Sequence, residues 1–330
     1  MYILTIDTGT TNTRVTLWKD QQPISKASRE VGVRDTAVDG NNQRLKDGIK
    51  QAIEEAVSQY GITLDDVSSI LASGMITSNV GLYEVPHLQA PAGFEELAAG
   101  MVKVRVSDFI DRDIWFVPGV KNNVKEVTLE NCEEMDIMRG EEVEVVGLMD
   151  RLDIQGPAVF ILPGSHTKFV SIDERNKMTG CLTSLAGEMI SMITHHSIIA
   201  NAVDKSFVKE FKQELVIKGF EYSQKVGMNR TCFTIRVLDQ FSDLSKDDLA
   251  NFLLGVVLAD DLKALKHSHA LHVSAESKVF VAGKDALSDA FEAILEEDGY
   301  FRSVQAVNTD TLKDLAGHGV IRLAQMRNDI

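Results

Sequence analysis

The sequence predicts an α/β protein made of two similar halves, and three observations predict it. A strand, polar turn, strand pattern opens the chain and returns about half a chain later. Helical patterns alternate with short β-branched strands through both halves, the arrangement of an α/β fold. The length of 330 residues, at roughly 150 per domain, suits two cores rather than one.

The first strand pair is Tyr2-Ile-Leu-Thr-Ile-Asp7 and Arg14-Val-Thr-Leu-Trp18, joined by a turn of Thr, Gly and Asn. Leu45, Ile49, Ala52, Ile53, Ala56, Val57 and Tyr60 recur at helical spacing, and Gly61 follows where a left-handed residue ends a helix. A short strand, Ile70-Leu-Ala72, runs into the small polar residues of Gly74-Met-Ile-Thr-Ser-Asn-Val-Gly81, which predict a loop at a strand end. Met138-Arg-Gly-Glu-Glu142 opens a helix reaching about Met149. The second half begins after a boundary near Leu152 to Gly156, dividing the chain into 1–153 and 154–330. Ala158-Val-Phe-Ile-Leu162 and Lys168-Phe-Val-Ser-Ile-Asp173 flank a turn, and helices are expected at Glu188 to Ile199 and Asp247 to Leu265. Lys278-Val-Phe-Val-Ala282 then leads through Gly283 into a helix from about Asp285 to Leu295. Segments near 83–135 and 200–245 fit neither hairpin nor helix and are expected to be insertions.

The 34 basic and 49 acidic side chains leave a net charge of −15, a field that argues against nucleic-acid or anionic-membrane partners. Three widely spaced cysteines form no disulfide framework, and no apolar run approaches the ~18 residues that span a bilayer. A reducing, cytoplasmic setting is expected. Lys266-His-Ser-His-Ala-Leu-His272 has offsets of two and five that scatter the rings around a helix, so a metal site there is disfavoured. Gly283-Lys284 lacks the remaining residues of a nucleotide P-loop.

Chemistry concentrates in the turns. Asp7 ends a strand, and Gly9, Thr10 and Thr11 offer backbone N–H groups and hydroxyls to phosphate oxygens, with the Arg14 guanidinium following. Asp7 can hold Mg²⁺ through water. Gly164, Ser165, His166 and Lys168 repeat this chemistry in the second half, so the two hairpins together are expected to hold one nucleotide between the halves. A carboxylate in the first turn of the helix after Gly140 suits either the helix dipole or a general base for phosphoryl transfer.

These residues resemble the 2-dehydro-3-deoxygalactonokinases of the actin-like, ribonuclease-H-like ATPase superfamily. Five motifs in family order carry the resemblance: Asp7-Thr-Gly-Thr-Thr-Asn-Thr-Arg14, Gly74-Met-Ile-Thr-Ser-Asn79, Ile137-Met-Arg-Gly-Glu-Glu142, Leu162-Pro-Gly-Ser-His-Thr-Lys-Phe169 and Leu185-Ala-Gly-Glu188. The departures are Thr8 and Phe169 in place of tryptophans and Ala186 in place of a threonine. The resemblance implies two ribonuclease-H-like domains with an interdomain cleft, and ATP- and Mg²⁺-dependent phosphorylation of 2-dehydro-3-deoxy-D-galactonate at its 6-hydroxyl, within galactonate catabolism. The gluconate epimer is the nearest alternative acceptor, and a non-catalytic sensor on the same fold the nearest alternative class. By the spacing of Gly140 and Gly147 in related sugar kinases, Glu141 is implied as the base ahead of Asp136 or Glu142. Ser78, Asn79, Arg139, Asp136 and Glu188 are the implied acceptor contacts, with Arg139 the choice for the sugar-acid carboxylate because no Lys or Arg occurs from Gln51 to Val102. Gly283 is implied in the adenosine region. A homodimer is an open expectation.

Overall fold

A computed structural model describes residues 1–327 as two compact units. The first comprises Met1–Lys125, Ile137–Gln155 and the chain from Lys313 onward; the second comprises Glu126–Asp136 and Gly156–Leu312. The change at Gln155/Gly156 lies two residues from the single cut expected after 153, but the units are not contiguous. One short segment leaves the first unit early, and the chain end returns to it.

In the first unit the strands β1 (Tyr2–Thr8), β2 (Thr13–Lys19) and β3 (Gln22–Arg29) form an antiparallel meander. α1 (Val33–Asp39) and α2 (Gln43–Gln59) follow, then β4 (Val67–Gly74), β5 (Leu88–Gln89), α3 (Phe94–Gly100), β6 (Val102–Arg105), β7 (Asp113–Phe116), β8 (Val120–Lys121), β9 (Ile137–Met138) and α4 (Glu141–Leu152). The main sheet has the order β3-β2-β1-β4-β7-β6, with β1, β4 and β7 parallel, and β5, β8 and β9 form a small separate sheet. Leu4, Ile6, Val15 and Leu17 from the sheet pack with Leu45, Ile49 and Ile53 of α2 in the core. The predicted apolar stripe of that helix is therefore its buried face.

The second unit repeats this order. Strands β10 (Ala158–Leu162), β11 (Thr167–Ile172) and β12 (Met178–Ser184) make the meander, and β13 (Lys278–Val281) and β14 (Ser303–Ala306) run parallel to β10. The sheet order is β12-β11-β10-β13-β14. Its helices are α5 (Ala186–His196), α6 (Gln213–Val226), α7 (Met228–Phe241), α8 (Lys246–His267) and α9 (Ala286–Asp298). α8 is buried along most of its length, and Leu253, Val256 and Val257 pack in one core with Val159, Ile161 and Phe169. α10 (Leu315–Gln325) belongs to the first unit, where it lies against α4.

Two expectations need correction. Residues 83–135 are not all insertion, because β7 is a parallel strand of the main sheet; four residues are too few to show a period. Residues 200–245 hold two helices, α6 and α7. No helix among the described residues is long and apolar enough to cross a membrane, and no disulfide joins the three cysteines.

Candidate active site

In the first unit, Asp7 sits near the end of β1, paired across the hairpin with Arg14 and alongside Ser73 of β4. The tip is closed by Gly9 N–H donating to the Asn12 carbonyl at 2.8 Å, and Thr10, Thr11 and Asn12 are exposed. Behind it, Val33 N–H donates to the Gly9 carbonyl and Arg34 N–H to that of Thr10. Gly32 lies so close that a Cβ there would overlap these carbonyls, which fixes the turn against α1. Arg14 Nη1 donates to Asp7 Oδ2 at 3.2 Å, with the Asp7 side chain 30% exposed. Desolvation pushes the Asp7 carboxyl above its ordinary range against the pull of Arg14, and the charge of Glu141 pushes the same way.

Gly74 joins this turn to the two motifs that follow. It holds φ +81°, and a Cβ there would meet the Thr8 carbonyl at 2.6 Å and Asp7 Oδ1 at 3.2 Å. Gly140, at φ +116°, would place a Cβ 3.3 Å from the Gly74 Cα. The start of α4 is thus seated on the Gly74 loop, which explains how residues 134 positions apart, Asp7 and Glu141, come within electrostatic range. Glu141 is partly exposed, and its Oε2 accepts from Arg139 N–H at 3.0 Å. Ser78 is buried and donates to the Met75 carbonyl at 2.7 Å, while Asn79 is exposed.

The Arg139 guanidinium is held by residues of the first unit. Nη1 donates to the Thr77 carbonyl at 2.6 Å and to Thr77 Oγ1; Nη2 donates to the Val85 carbonyl at 3.0 Å and faces His87 Nδ1 at 3.2 Å. Sequence reasoning missed His87 altogether, since a single His after Pro86 carries no pattern. It also missed Glu144, one turn beyond Glu141, whose carboxyl burial and the charges of Asp7 and Glu141 push up to about 8.

Glu142 faces inward. It is fully buried, Oε2 accepts from Gly140 N–H at 2.7 Å, and Oε1 has no partner. Burial, then the charge of Glu141, pushes its carboxyl from 4.5 up to about 8. An acid whose pKa rises on folding leaves the unfolded chain with fewer protons above pH 4.5, so stability falls as pH climbs from there toward 8. Glu142→Gln is expected to flatten this alkaline decline. Urea midpoints between pH 5 and pH 8 check it, and an unaltered slope would show that the carboxyl is not held protonated.

In the second unit, Gly164, Ser165 and His166 form the β10–β11 turn, with Ser165 and His166 exposed. Glu188 N–H at the start of α5 donates to the Ser165 carbonyl at 3.0 Å, and His166 Nε2 lies 2.9 Å from Glu188 Oε1. A Cβ on Gly187 would overlap the Gly164 backbone, so the Gly of Ala-Gly-Glu is what seats the turn on the helix. Lys168 is buried, with Nζ on Thr183 Oγ1 and 3.8 Å from Asp136 Oδ1. Asp136 also accepts from Thr183 N–H at 2.6 Å and Thr183 Oγ1 at 2.9 Å. Thus Asp136 belongs with the second hairpin, apart from Ser78, Asn79 and Arg139. Gly283, at the end of β13, lies beside Pro163 and Ser288. A small apolar cavity of about 160 Å³ is lined by Gly187, Ile190, Ser191, Thr194, His195, Phe207 and Leu287.

A family model described as 2-keto-3-deoxy-galactonokinase matches residues 7–317. The chain belongs to that family. It is a kinase. The 2-dehydro-3-deoxygalactonokinase of Escherichia coli strain K12 is 22% identical over 277 residues, covering 81% of this chain and 83% of the relative. A crystal structure from Sinorhizobium meliloti, provisionally named for the same enzyme, superposes with a TM-score of 0.74 at 20% identity, over 98% of this kinase and 99% of that chain. The activator of 2-hydroxyisocaproyl-CoA dehydratase from Clostridium difficile, solved with ADPNP, shares the fold at a TM-score of 0.50 and 13% identity, over 98% of this chain and 94% of its own.

Proposed function

We propose that this kinase transfers the γ-phosphoryl group of ATP to the 6-hydroxyl of 2-dehydro-3-deoxy-D-galactonate, giving the 6-phosphate and ADP in cytoplasmic galactonate catabolism. The observation that carries the reading is the convergence of the Asp7 turn, the Gly74 loop and the start of α4, which puts a partly exposed carboxylate beside both a phosphate-type hairpin and the implied acceptor loop. Glu141 takes the proton of the 6-hydroxyl as that oxygen bonds to the γ-phosphorus; the bond from phosphorus to the β–γ bridging oxygen breaks, and ADP leaves with the electron pair. In the first unit Gly9, Thr10, Thr11 and Arg14 offer donors to phosphate oxygens, and in the second Gly164, Ser165 and His166 offer the same chemistry. Lys168 adds charge from beneath its hairpin, and Glu188 sets the His166 ring.

Mg²⁺ fits the first hairpin. No three His, Cys, Asp or Glu side chains among the described residues form a metal cage, yet a Mg²⁺ carried by a nucleotide needs only one or two carboxylates with water and phosphate oxygens. Asp7, desolvated and facing the charge of Glu141, is a carboxylate that a cation would relieve. When bound, the ion neutralises charge on the β- and γ-phosphates. The adenine ring is assigned to the apolar cavity between α5 and Leu287, because that cavity starts at the same Gly187 that seats the phosphate turn.

ADP release measured with a panel of 2-keto-3-deoxy sugar acids tests the function. The galacto acid is expected to give the highest kcat/KM, and ADP release without an acceptor is expected to be small. Preference for the gluconate epimer would reassign the substrate, and acceptor-independent hydrolysis alone would overturn kinase chemistry for these acids.

A further inference from the structure

Arg139 stands where a sugar-acid carboxylate was expected to find its cation, and its hydrogen bonds describe another task. Carboxylate recognition by arginine uses two parallel N–H groups, at least one of them on a terminal nitrogen. Here Nη1 has two hydrogens and two acceptors, the carbonyl and hydroxyl of Thr77, and Nη2 is likewise occupied by the Val85 carbonyl and His87 Nδ1. Both bidentate forks are spent within the first unit. The acceptors come from the two ends of one loop: Thr77 follows Gly74, and Val85 N–H returns to the Thr77 carbonyl at 2.9 Å. Leu82 N–H closes the same loop on the Ile76 carbonyl at 2.9 Å. Arg139 therefore staples the loop that carries Ser78 and Asn79, while its own backbone N–H holds Glu141 Oε2.

His87 completes the staple in an unusual way. To accept from Arg139 its Nδ1 must be bare, so the proton sits on Nε2, which is buried with no partner. Burial, and then the charges of Arg139 and Lys121, hold the ring neutral by lowering its pKa to about 4. A cation ringed by neutral acceptors keeps the loop in one geometry and leaves the Glu141 carboxylate unpaired by the guanidinium.

We propose that Arg139 and His87 form a positioning clamp that fixes the Met75–Val85 loop to the start of α4, setting the acceptor hydroxyl against Glu141, and that Arg139 acts on the chemical step without binding the acceptor's carboxylate. The proposal rests on the reading of Glu141 as base and Ser78-Asn79 as acceptor loop.

The experiment compares Arg139→Ala, Arg139→Lys, His87→Leu and His87→Asn in the full chain, using 2-dehydro-3-deoxygalactonate as acceptor and amide hydrogen exchange of residues 75–85 without any ligand. A misplacement of about 1 Å costs on the order of 10²-fold in rate, so both Arg139 variants are expected to lose about that in kcat while KM for the acid stays within about threefold. Exchange at Leu82 and Val85 should rise in the same variants. His87→Leu should share the defect, His87→Asn should recover most of it by restoring an acceptor near Nδ1, and His87→Leu should add little to Arg139→Ala. A large rise in KM that Arg139→Lys repairs, with unchanged exchange, would overturn the clamp in favour of direct carboxylate binding. Unchanged kcat and exchange would overturn it as well. Because exchange needs no turnover, failure of the proposed acceptor would be told apart from failure of the clamp.

Discussion

Glu141→Gln is expected to lower kcat for acceptor-dependent ADP release by about 10²- to 10⁴-fold, the range a general base contributes, with KM for ATP within about threefold of the parent. That loss corresponds to about 3–5 kcal/mol of transition-state stabilisation. The substitution is nearly isosteric, and a glutamine oxygen still accepts the Arg139 N–H that holds Oε2, so the start of α4 is preserved. What disappears is the only proton-accepting function in the Gly140-Glu141-Glu142 turn that faces outward. Glu142 is the internal control: it is fully buried and held by Gly140 N–H, so Glu142→Gln should keep turnover within about tenfold, the loss then being positional rather than chemical. Initial rates of both variants at saturating ATP decide the matter. Near-normal turnover of Glu141→Gln, or a larger loss in Glu142→Gln, would move the base to another carboxylate, with Glu144 next because its charge couples to Asp7.

The elements that were legible in the sequence are those whose chemistry is local. The two hairpins, α2 and α8 each carry their pattern in one continuous stretch, and β10 is an unbroken apolar run; structure and pattern agree on them to within a few positions. β3 was not legible because it is polar and contains Pro23, which an edge strand tolerates and a sequence pattern reads as a break. The same limit applies to the site. Asp7, Glu141 and the two turns stand out as motifs, but the contact of Gly74 with Gly140 is a tertiary event between two backbones and leaves no trace in spacing. Arg139 shows how a motif can be found while the partners of its side chain stay hidden. A lone cation near acceptor residues invites a carboxylate, whereas both terminal nitrogens of the guanidinium meet acceptors on Thr77, Val85 and His87 that no sequence pattern reveals. Asp136 shows the converse: two positions before Met138, yet it belongs to the second unit, where its carboxylate serves the Lys168 hairpin.

α10 is one of the helices the sequence analysis did not expect, and its glycines lead to the second large effect. Gly317 and Gly319 lower its helix propensity by roughly 1 kcal/mol each relative to alanine. The structure needs those glycines. A Cβ on Gly319 would run into the Val143 carbonyl of α4, and one on Gly147 of α4 would sit 2.7 Å from the Leu315 carbonyl of α10. The two helices cross backbone to backbone, and Asp150 closes the crossing by accepting from His318 Nε2 at 2.8 Å and Arg322 Nε at 2.7 Å. Gly319→Ala is therefore expected to destabilise the first unit by about 3 kcal/mol, the upper end for overpacking, despite the gain in propensity. For a unit of this size the unfolding midpoint should fall by about 6–12 °C. The obstructing atom is backbone, so relief requires α4 to move, and Glu141 sits on its first turn. kcat should then drop at temperatures where the protein is still folded, in contrast to Gly299→Ala, whose Cβ meets nothing within 4 Å and whose cost is only the left-handed φ of +65°. Differential scanning calorimetry with kcat measured well below the transition separates the two effects. A Gly319→Ala variant with the parent's midpoint would mean the crossing can widen freely, and a lowered midpoint with unchanged kcat would mean that α4 keeps its first turn in place when its far side is pushed.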